Sequence, residues 1–326
     1  MFDLKKLYTG NLEWLADHTI LFGLAGSKSY GLDTPESDTD LKGLCIPPVN
    51  YFYGWLNNFE QAERKKQDDD IEFTIYDIRK FFNLAANNNP GLLELLFLDP
   101  ADYLIMTELG EQLINNRDKF LSRKVVYTYS GYSASQLKKI KTHRSHLLSP
   151  PTHEPTREEF GLPRDKAFLS KDQQGAYDEL VSSGKLSEND VGSNFLEALA
   201  KEKAYFQARR SWDRYQEWKI NRNPTRAKME AEFGYDLKFA VHLVRLLIQA
   251  KEILTTGKLI VKRPDRDFLL SIRNGAWTYD QLIEWSSEQE AEIMKLAETS
   301  ILPHSPDRVF LDQLCVDMVE QFMRSK

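Results

Sequence analysis

Cysteine is scarce in this chain of 326 residues, which holds only Cys45 and Cys315. Two thiols cannot by themselves build a disulfide framework or a thiolate metal site, and they fit a reducing, cytoplasmic setting. Long apolar runs are missing too. The nearest, Leu92 to Leu98, is interrupted by Glu94, so no membrane-spanning helix is expected. The start, Met1-Phe2-Asp3-Leu4-Lys5-Lys6, lacks the apolar core of a signal peptide. There is no basic excess: 43 Lys and Arg stand against 49 Asp and Glu, a net charge of −6. The whole surface is therefore not a general nucleic-acid binder, and any basic patch must be local. Internal repeats and low-complexity tracts are absent, which argues against a solenoid. What remains is ordinary globular composition, 41% hydrophobic and 28% charged, in a length that suggests two domains.

The first third reads as strands alternating with helices. Leu12 to Asp17 suggests a short helix, and Thr19 to Ala25 a buried strand by its continuous apolar character. Leu41 to Ile46 suggests a second strand, closed by Pro47-Pro48. Ile71 to Tyr76 alternates with period two. Asp77 can cap a helix running to about Ala86. Asn87 to Gly91 breaks it before another apolar helix to Leu98. From about 120 the pattern turns helical: Val125 to His143, segments within 172–220, Tyr235 to Thr256, 265–272, 278–299 and 307–324. Lys258 to Lys262 suggests a short extended piece. Residues 145–165, with Pro150, Pro151, Pro155 and Pro163, read as a loop or linker, and Arg222-Asn223-Pro224 as a turn.

The chemistry is concentrated early. Gly26-Ser27 follows the first strand, and Asp38-Thr39-Asp40 stands ten residues later, leading into the second. A glycine lets the backbone approach a phosphate closely, and a serine adds a hydroxyl and an N–H. Asp38 and Asp40, two apart on an extended segment, point to one face. Hard carboxylate oxygens at that spacing suit Mg²⁺ or Mn²⁺, with nucleotide phosphates completing the shell. Transfer of a nucleotidyl group also needs its attacking hydroxyl positioned, usually with a third carboxylate. Glu72 is the first choice, on the face opposite Ile71, Phe73 and Ile75. Asp70 shares its parity and is the reserve. Asp68 and Asp69 read as a solvated acidic turn.

A second constellation lies on the helix Tyr235 to Thr256. Lys238, His242, Arg245 and Gln249 fall at i, i+4, i+7 and i+11, one face of an otherwise apolar helix. Such a stripe meets either internal salt-bridge partners or a cleft. A third signal is basic and aromatic: Arg209, Arg210, Arg222 and Arg226, interleaved with Trp212, Tyr215 and Trp218. It suits an RNA end, with phosphates paired and bases stacked. It equally suits an amphipathic helix with its aromatic residues in a buried seam, since Asp213, Glu217, Glu230 and Glu232 dilute the charge.

Gly-Ser, ten intervening residues, then Asp-x-Asp is similar to the signature of the DNA polymerase β-like nucleotidyltransferase superfamily. The fuller pattern, Gly26-Ser27-x-x-Tyr30-Gly31 with Ser37-Asp38-x-Asp40-x-Lys42-Gly43, resembles its branch of predicted nucleotidyltransferases linked with RNA repair. Further blocks look alike: Asn88-Asn89-Pro90 with Leu93-Glu94-Leu95-Leu96, Tyr132 with Gln136, Gly234-Tyr235-Asp236-x-Lys238 with His242 to Leu246, and Ile272-Arg273-x-Gly275. The resemblance is thinner over 145–230, which leaves acceptor recognition the least defined part. Lys42 stands where the branch often has Arg, keeping a cation.

The resemblance implies an α+β protein. It expects a nucleotidyltransferase-type mixed sheet with flanking helices over 1–118, then an all-helical domain over 119–326 with 145–165 as linker. It implies metal-dependent transfer of NMP from an NTP, such as ATP, to a hydroxyl. Catalysis and metal binding fall to Asp38, Asp40 and Glu72. Nucleotide binding falls to Gly26, Ser27, Lys42, Lys238, His242 and Arg245. An RNA (tRNA-like) 3′ end is the first acceptor, through Arg209, Arg210, Arg222 and Arg226. A protein hydroxyl, or an idle nucleotide- or RNA-binding role, is the alternative. Which NTP is used, and in what oligomeric state, stays open.

Overall fold

A computed structural model describes residues 3–8, 10–35, 37–65, 70–164, 169–187 and 191–325. Asp68 and Asp69 lie outside the described residues. By its internal contacts the chain forms two compact units: Met1–Ile140 with Leu237–Lys326, and Lys141–Asp236. The chain thus returns at Leu237 to the unit it began.

The first unit carries a five-stranded sheet of β1 (Thr19–Ala25), β2 (Thr39–Cys45), β3 (Gln61–Arg64), β4 (Ile71–Asp77) and β5 (Tyr103–Met106), in the order β3-β4-β2-β1-β5. β2 and β4 run parallel and the other pairs antiparallel, so the sheet is mixed, as expected. β1 owes its inner place to its sequence. Six of its seven residues are buried, and a strand covered on both faces reads as a continuous apolar run. The edge strands β3 and β5 were not read from the sequence. β3 buries only Ala62, and β5 is half-buried throughout, so neither shows the alternation of a half-covered strand.

One face of the sheet is packed. Phe22 of β1, Leu41 and Cys45 of β2, and Phe73 and Ile75 of β4 join Leu4, Leu15, Phe59 and Ala62 in a core. The rings of Phe22 and Phe73 meet edge-on with centroids 5.8 Å apart. Burying each such side chain contributes about 1.5–3 kcal/mol. The same alternation sends Asp40, Lys42, Glu72 and Thr74 to the opposite face.

Two helix starts fix what flanks that face. Asp77 ends β4 and accepts a hydrogen bond from Arg79 N at 2.7 Å, capping the helix Ile78–Ala86. Asn89 caps Pro90–Leu96, accepting from Gly91 N at 3.1 Å. Between them Asn88 takes the left-handed conformation, with φ 56°. It is fully buried, donates to the Phe120 carbonyl at 2.5 Å and accepts from Ser122 Oγ at 2.7 Å. The segment read as a helix breaker is thus a satisfied polar joint. Val125–Leu148, Leu237–Thr256, Arg266–Arg273, Tyr279–Thr299 and Arg308–Ser325 are helical, and Lys258 to Lys262 forms no strand.

The second unit is helical: Lys171–Ser182, Ser193–Asn221 and Pro224–Phe233. Ser170 and Gln173 form a capping box at its first long helix, and Leu169, Tyr177 and Leu199 make a small core. The proline-rich stretch is tied down by Arg157, whose guanidinium meets the buried Glu202 at 2.6 Å. Among the described residues no helix is long and apolar enough to cross a membrane.

Candidate active site

β1 ends at Ala25, and the chain turns at Gly26 into the short helix Gly26–Tyr30. Gly26 has φ +63°, and a Cβ there would fall 2.0 Å from Asp40 Oδ2. Both facts favour glycine: the left-handed conformation disfavours a side chain, and a Cβ would displace the Asp40 carboxylate. Gly31, with φ 71°, ends the turn by donating its N–H to the Lys28 carbonyl. Ser29 Oγ closes it by donating to the Gly26 carbonyl at 2.9 Å. Gly26→Ala should lower stability by at least about 1–2 kcal/mol, because Asp40 must also move. Urea unfolding of the variant checks this, and an unchanged midpoint would refute the packing argument.

Asp40 and Glu72 are partners in the parallel register of β2 and β4, and Asp40 is also opposite Ala25 of β1. Paired residues send side chains to the same face, so Asp40 and Glu72 stand side by side next to the Gly26 turn. Asp38 lies two residues before Asp40, just outside the strand. Asp38 and Asp40 are half-buried, and Glu72 is exposed. The reserve candidate Asp70 lies outside β4 with φ 55° and uses its carbonyl to accept Thr39 N at 2.9 Å. Glu72, unlike Asp70, is thus in strand register with Asp40. The Lys28 ammonium donates to the Thr39 hydroxyl between the two aspartates. Among the described residues, the one trio of His, Asp or Glu ligand atoms within 4.8 Å of one another is His143, Glu230 and Asp236. Asp40 and Glu72 share a face, with Asp38 beside the start of β2, without the three closing that tightly.

Lys42 follows Asp40 on the same face. Its Nζ donates to the Gly91 carbonyl at 3.2 Å. Enclosure pushes this ammonium below its ordinary range, against the opposing pull of Glu94. Glu94 is buried at 6% exposure. It accepts the Tyr30 hydroxyl at 2.7 Å and an Arg245 guanidinium N–H. Arg245 also reaches Gln249 Oε1 at 2.8 Å, and its guanidinium carbon lies 3.7 Å from the centre of the Tyr30 ring. Burial and the neighbouring Glu94 carboxylate leave the Tyr30 phenol well above its usual range.

The stripe on Leu237–Thr256 thus divides by depth: Lys238 is exposed, His242 half-buried, and Arg245 and Gln249 buried. Arg245, expected to contact nucleotide, sits in the internal ion pair that the sequence left as the other reading. Glu94 and Tyr30 were not singled out for a role. The available signal was a lone carboxylate inside an apolar run, which needs a buried cation.

In the second unit the four acceptor candidates separate. Arg209 pairs with Glu154 and with Asp213 at 3.2 Å, and Arg210 Nε donates to the Phe206 carbonyl at 3.2 Å. Arg222 holds the buried Glu230 at 2.7 Å and lies over Trp218, 4.4 Å from its centre. Arg226 is 3.9 Å from Asp236. Arg222 and Arg226 line a cavity of about 370 Å³ together with His143, His146, Trp218 and Glu230. Tyr215 stacks on Trp218 with the rings 29° apart. The interleaved aromatics therefore form a seam, and Arg222 and Arg226 border the cavity beside it.

Residues 9–149, which include the Gly26 turn and Asp38, Asp40 and Glu72, match the model of the RNA repair pathway DNA polymerase beta family, RlaP. That segment is thus similar to the polymerase β-like, RNA-repair-linked branch. A stretch of 140 residues is 29% identical to a protein of Enterobacteria phage T4 named "Uncharacterized 38.9 kDa protein in nrdC-mobD intergenic region". The alignment covers 40% of this chain and 41% of the phage protein, so it spans about two fifths of that relative's length. The RlaP match ends just after the helix Val125–Leu148 and leaves most of the helical residues outside it.

Proposed function

We propose that this protein is a metal-dependent nucleotidyltransferase that moves NMP from an NTP to a hydroxyl, with an RNA (tRNA-like) 3′ end as acceptor, and releases pyrophosphate. The observation that carries the reading is Asp40 in register with Glu72, beside a glycine where a Cβ would displace the Asp40 carboxylate, in a segment similar to the polymerase β-like branch.

The donor set fits Mg²⁺ or Mn²⁺. Its members are hard carboxylate oxygens on one sheet face, with no thiolate or imidazole among them. Asp38, Asp40 and Glu72 would hold the ion. When bound, a divalent ion would offset phosphate charge and favour the ionised hydroxyl. The protein's own groups do the positioning. Gly26 and Ser27 cradle the β- and γ-phosphates, and the Lys42 ammonium answers their charge. Lys238 and His242 supply further donors to phosphate or hydroxyl. Arg245 acts at one remove, holding Glu94 and Tyr30 behind the phosphate turn. In the reaction the acceptor oxygen bonds to the α-phosphorus, the bond to the β-phosphate bridging oxygen breaks, and pyrophosphate leaves with that electron pair. Glu72 orients the hydroxyl and helps take its proton. Arg222 and Arg226, at the cavity of the second unit, are the acceptor contacts; Arg209 and Arg210 add phosphate charge on its outer surface.

The test is incubation with each α-labelled NTP and Mg²⁺ or Mn²⁺, with total RNA or total protein as acceptor. Label should enter RNA, and the Asp38→Ala, Asp40→Ala double variant should transfer none. Equal labelling by that variant would sink the mechanism, and label in protein alone would replace the acceptor. RNA binding should also weaken with salt, with a shallower log–log slope after Arg222→Ala and Arg226→Ala.

A further inference from the structure

The face that carries Asp40 and Glu72 is bordered by an aromatic side chain that the proposed chemistry has not used. Tyr132, on the helix Val125–Leu148, is 44% exposed. Its hydroxyl is held by Asn89 Nδ2 at 2.7 Å. Asn89 in turn accepts from Gly91 N at 3.1 Å, and the Gly91 carbonyl accepts the Lys42 ammonium at 3.2 Å. Three successive contacts thus lead from the phosphate cation to an open ring. The hydroxyl end is fixed and the ring remains accessible. A second aromatic, Tyr76 of β4, follows Glu72 and Thr74 on the same face, in register with Leu44 and Gln61. Tyr132 stands close enough to Tyr76 to add, after burial and Glu63, to the upward shift of the Tyr76 phenol.

An aromatic ring with one end pinned loses little freedom when a flat partner covers it. Stacking of a base on such a ring is strong and tolerant of base identity, because every base has a π-face. The ring is joined to Lys42, which lies two residues from Asp40 on the strand assigned to the triphosphate. It therefore belongs to the donor side. We infer that Tyr132 is the stacking surface for the nucleobase of the donor nucleoside triphosphate, an inference that rests on the nucleotidyl-transfer reading above.

Two ligands separate a base contact from a phosphate contact: a non-hydrolysable α,β-methylene ATP and inorganic tripolyphosphate. Each is titrated calorimetrically with Mg²⁺ into the full chain as wild type, Tyr132→Phe and Tyr132→Ala. Tyr132→Ala should weaken the nucleotide roughly 5- to 100-fold and leave tripolyphosphate within about twofold. Tyr132→Phe keeps the ring and should stay close to wild type for both. Equal weakening of both ligands by Tyr132→Ala would reduce Tyr132 to a support for the phosphate site and overturn the inference. So would an unchanged nucleotide affinity, or a loss confined to an RNA oligonucleotide. Those results leave the transfer chemistry standing if the wild type still labels RNA. A wild type that binds neither triphosphate overturns both readings.

Discussion

Asp40→Ala is expected to cut transfer from an α-labelled NTP by about 10³-fold or more, some 4 kcal/mol of transition-state stabilisation. The same substitution should hardly change stability. Asp40 is half-buried and stands directly beside Glu72 across the β2–β4 pair. Like charges opposite each other on a sheet are unfavourable, so removing one relieves repulsion while deleting a phosphate-side ligand. Measuring initial rate and thermal midpoint together decides the matter. A large loss of rate with an unmoved or slightly raised midpoint assigns Asp40 to chemistry. Parallel loss of both would make it a structural residue, and an unchanged rate would remove it from the site.

Glu94→Gln should do the reverse and cost about 3–5 kcal/mol of folding free energy. Glutamine keeps the shape and can still accept the Tyr30 hydroxyl, but it leaves the Arg245 guanidinium buried without a counter-charge. Arg245 is only 4% exposed, so water cannot take over. Gln249, its other acceptor, is neutral. The cost is a penalty for an orphaned charge rather than the worth of the pair, and it makes a second expectation. Combining Glu94→Gln with Arg245→Met should recover most of the loss, since replacing both charges is far cheaper than removing one. Urea unfolding of the two single variants and the double gives the coupling directly. A single-variant loss under about 1 kcal/mol would mean that the pair is not what holds Leu237–Thr256 beside Pro90–Leu96.

These two residues also show what the sequence could and could not convey. The place of Asp40 on the sheet was legible because its information is local: a Gly-Ser turn, a fixed spacing, and alternation that assigns a face. The strands β1, β2 and β4 and the cap Asp77 were legible for the same reason. Glu94 announced that it had a partner but not which one, because Arg245 is 151 positions away and nothing local marks the pairing. Helical periodicity placed Arg245 on a polar stripe without giving its depth, so a buried guanidinium and an exposed Lys238 looked equivalent. Edge strands escaped for a different reason. Gln61–Arg64 buries one residue, and a sheet edge leaves too faint an apolar pattern. Composition changes where helices begin, whereas compactness depends on where the chain comes back, here at Leu237.

That return has a practical meaning for any shortened version of the protein. The residues that match RlaP, 9–149, include Glu94 and Tyr30 but stop long before Arg245 and Gln249. A fragment cut to the matched length would carry Asp38, Asp40 and Glu72 on a scaffold with an unneutralised carboxylate, Glu94, in its interior. The smallest self-consistent piece is therefore discontinuous in sequence: the stretch up to Ile140 together with the stretch from Leu237 onward, joined by whatever short connector replaces the intervening helices.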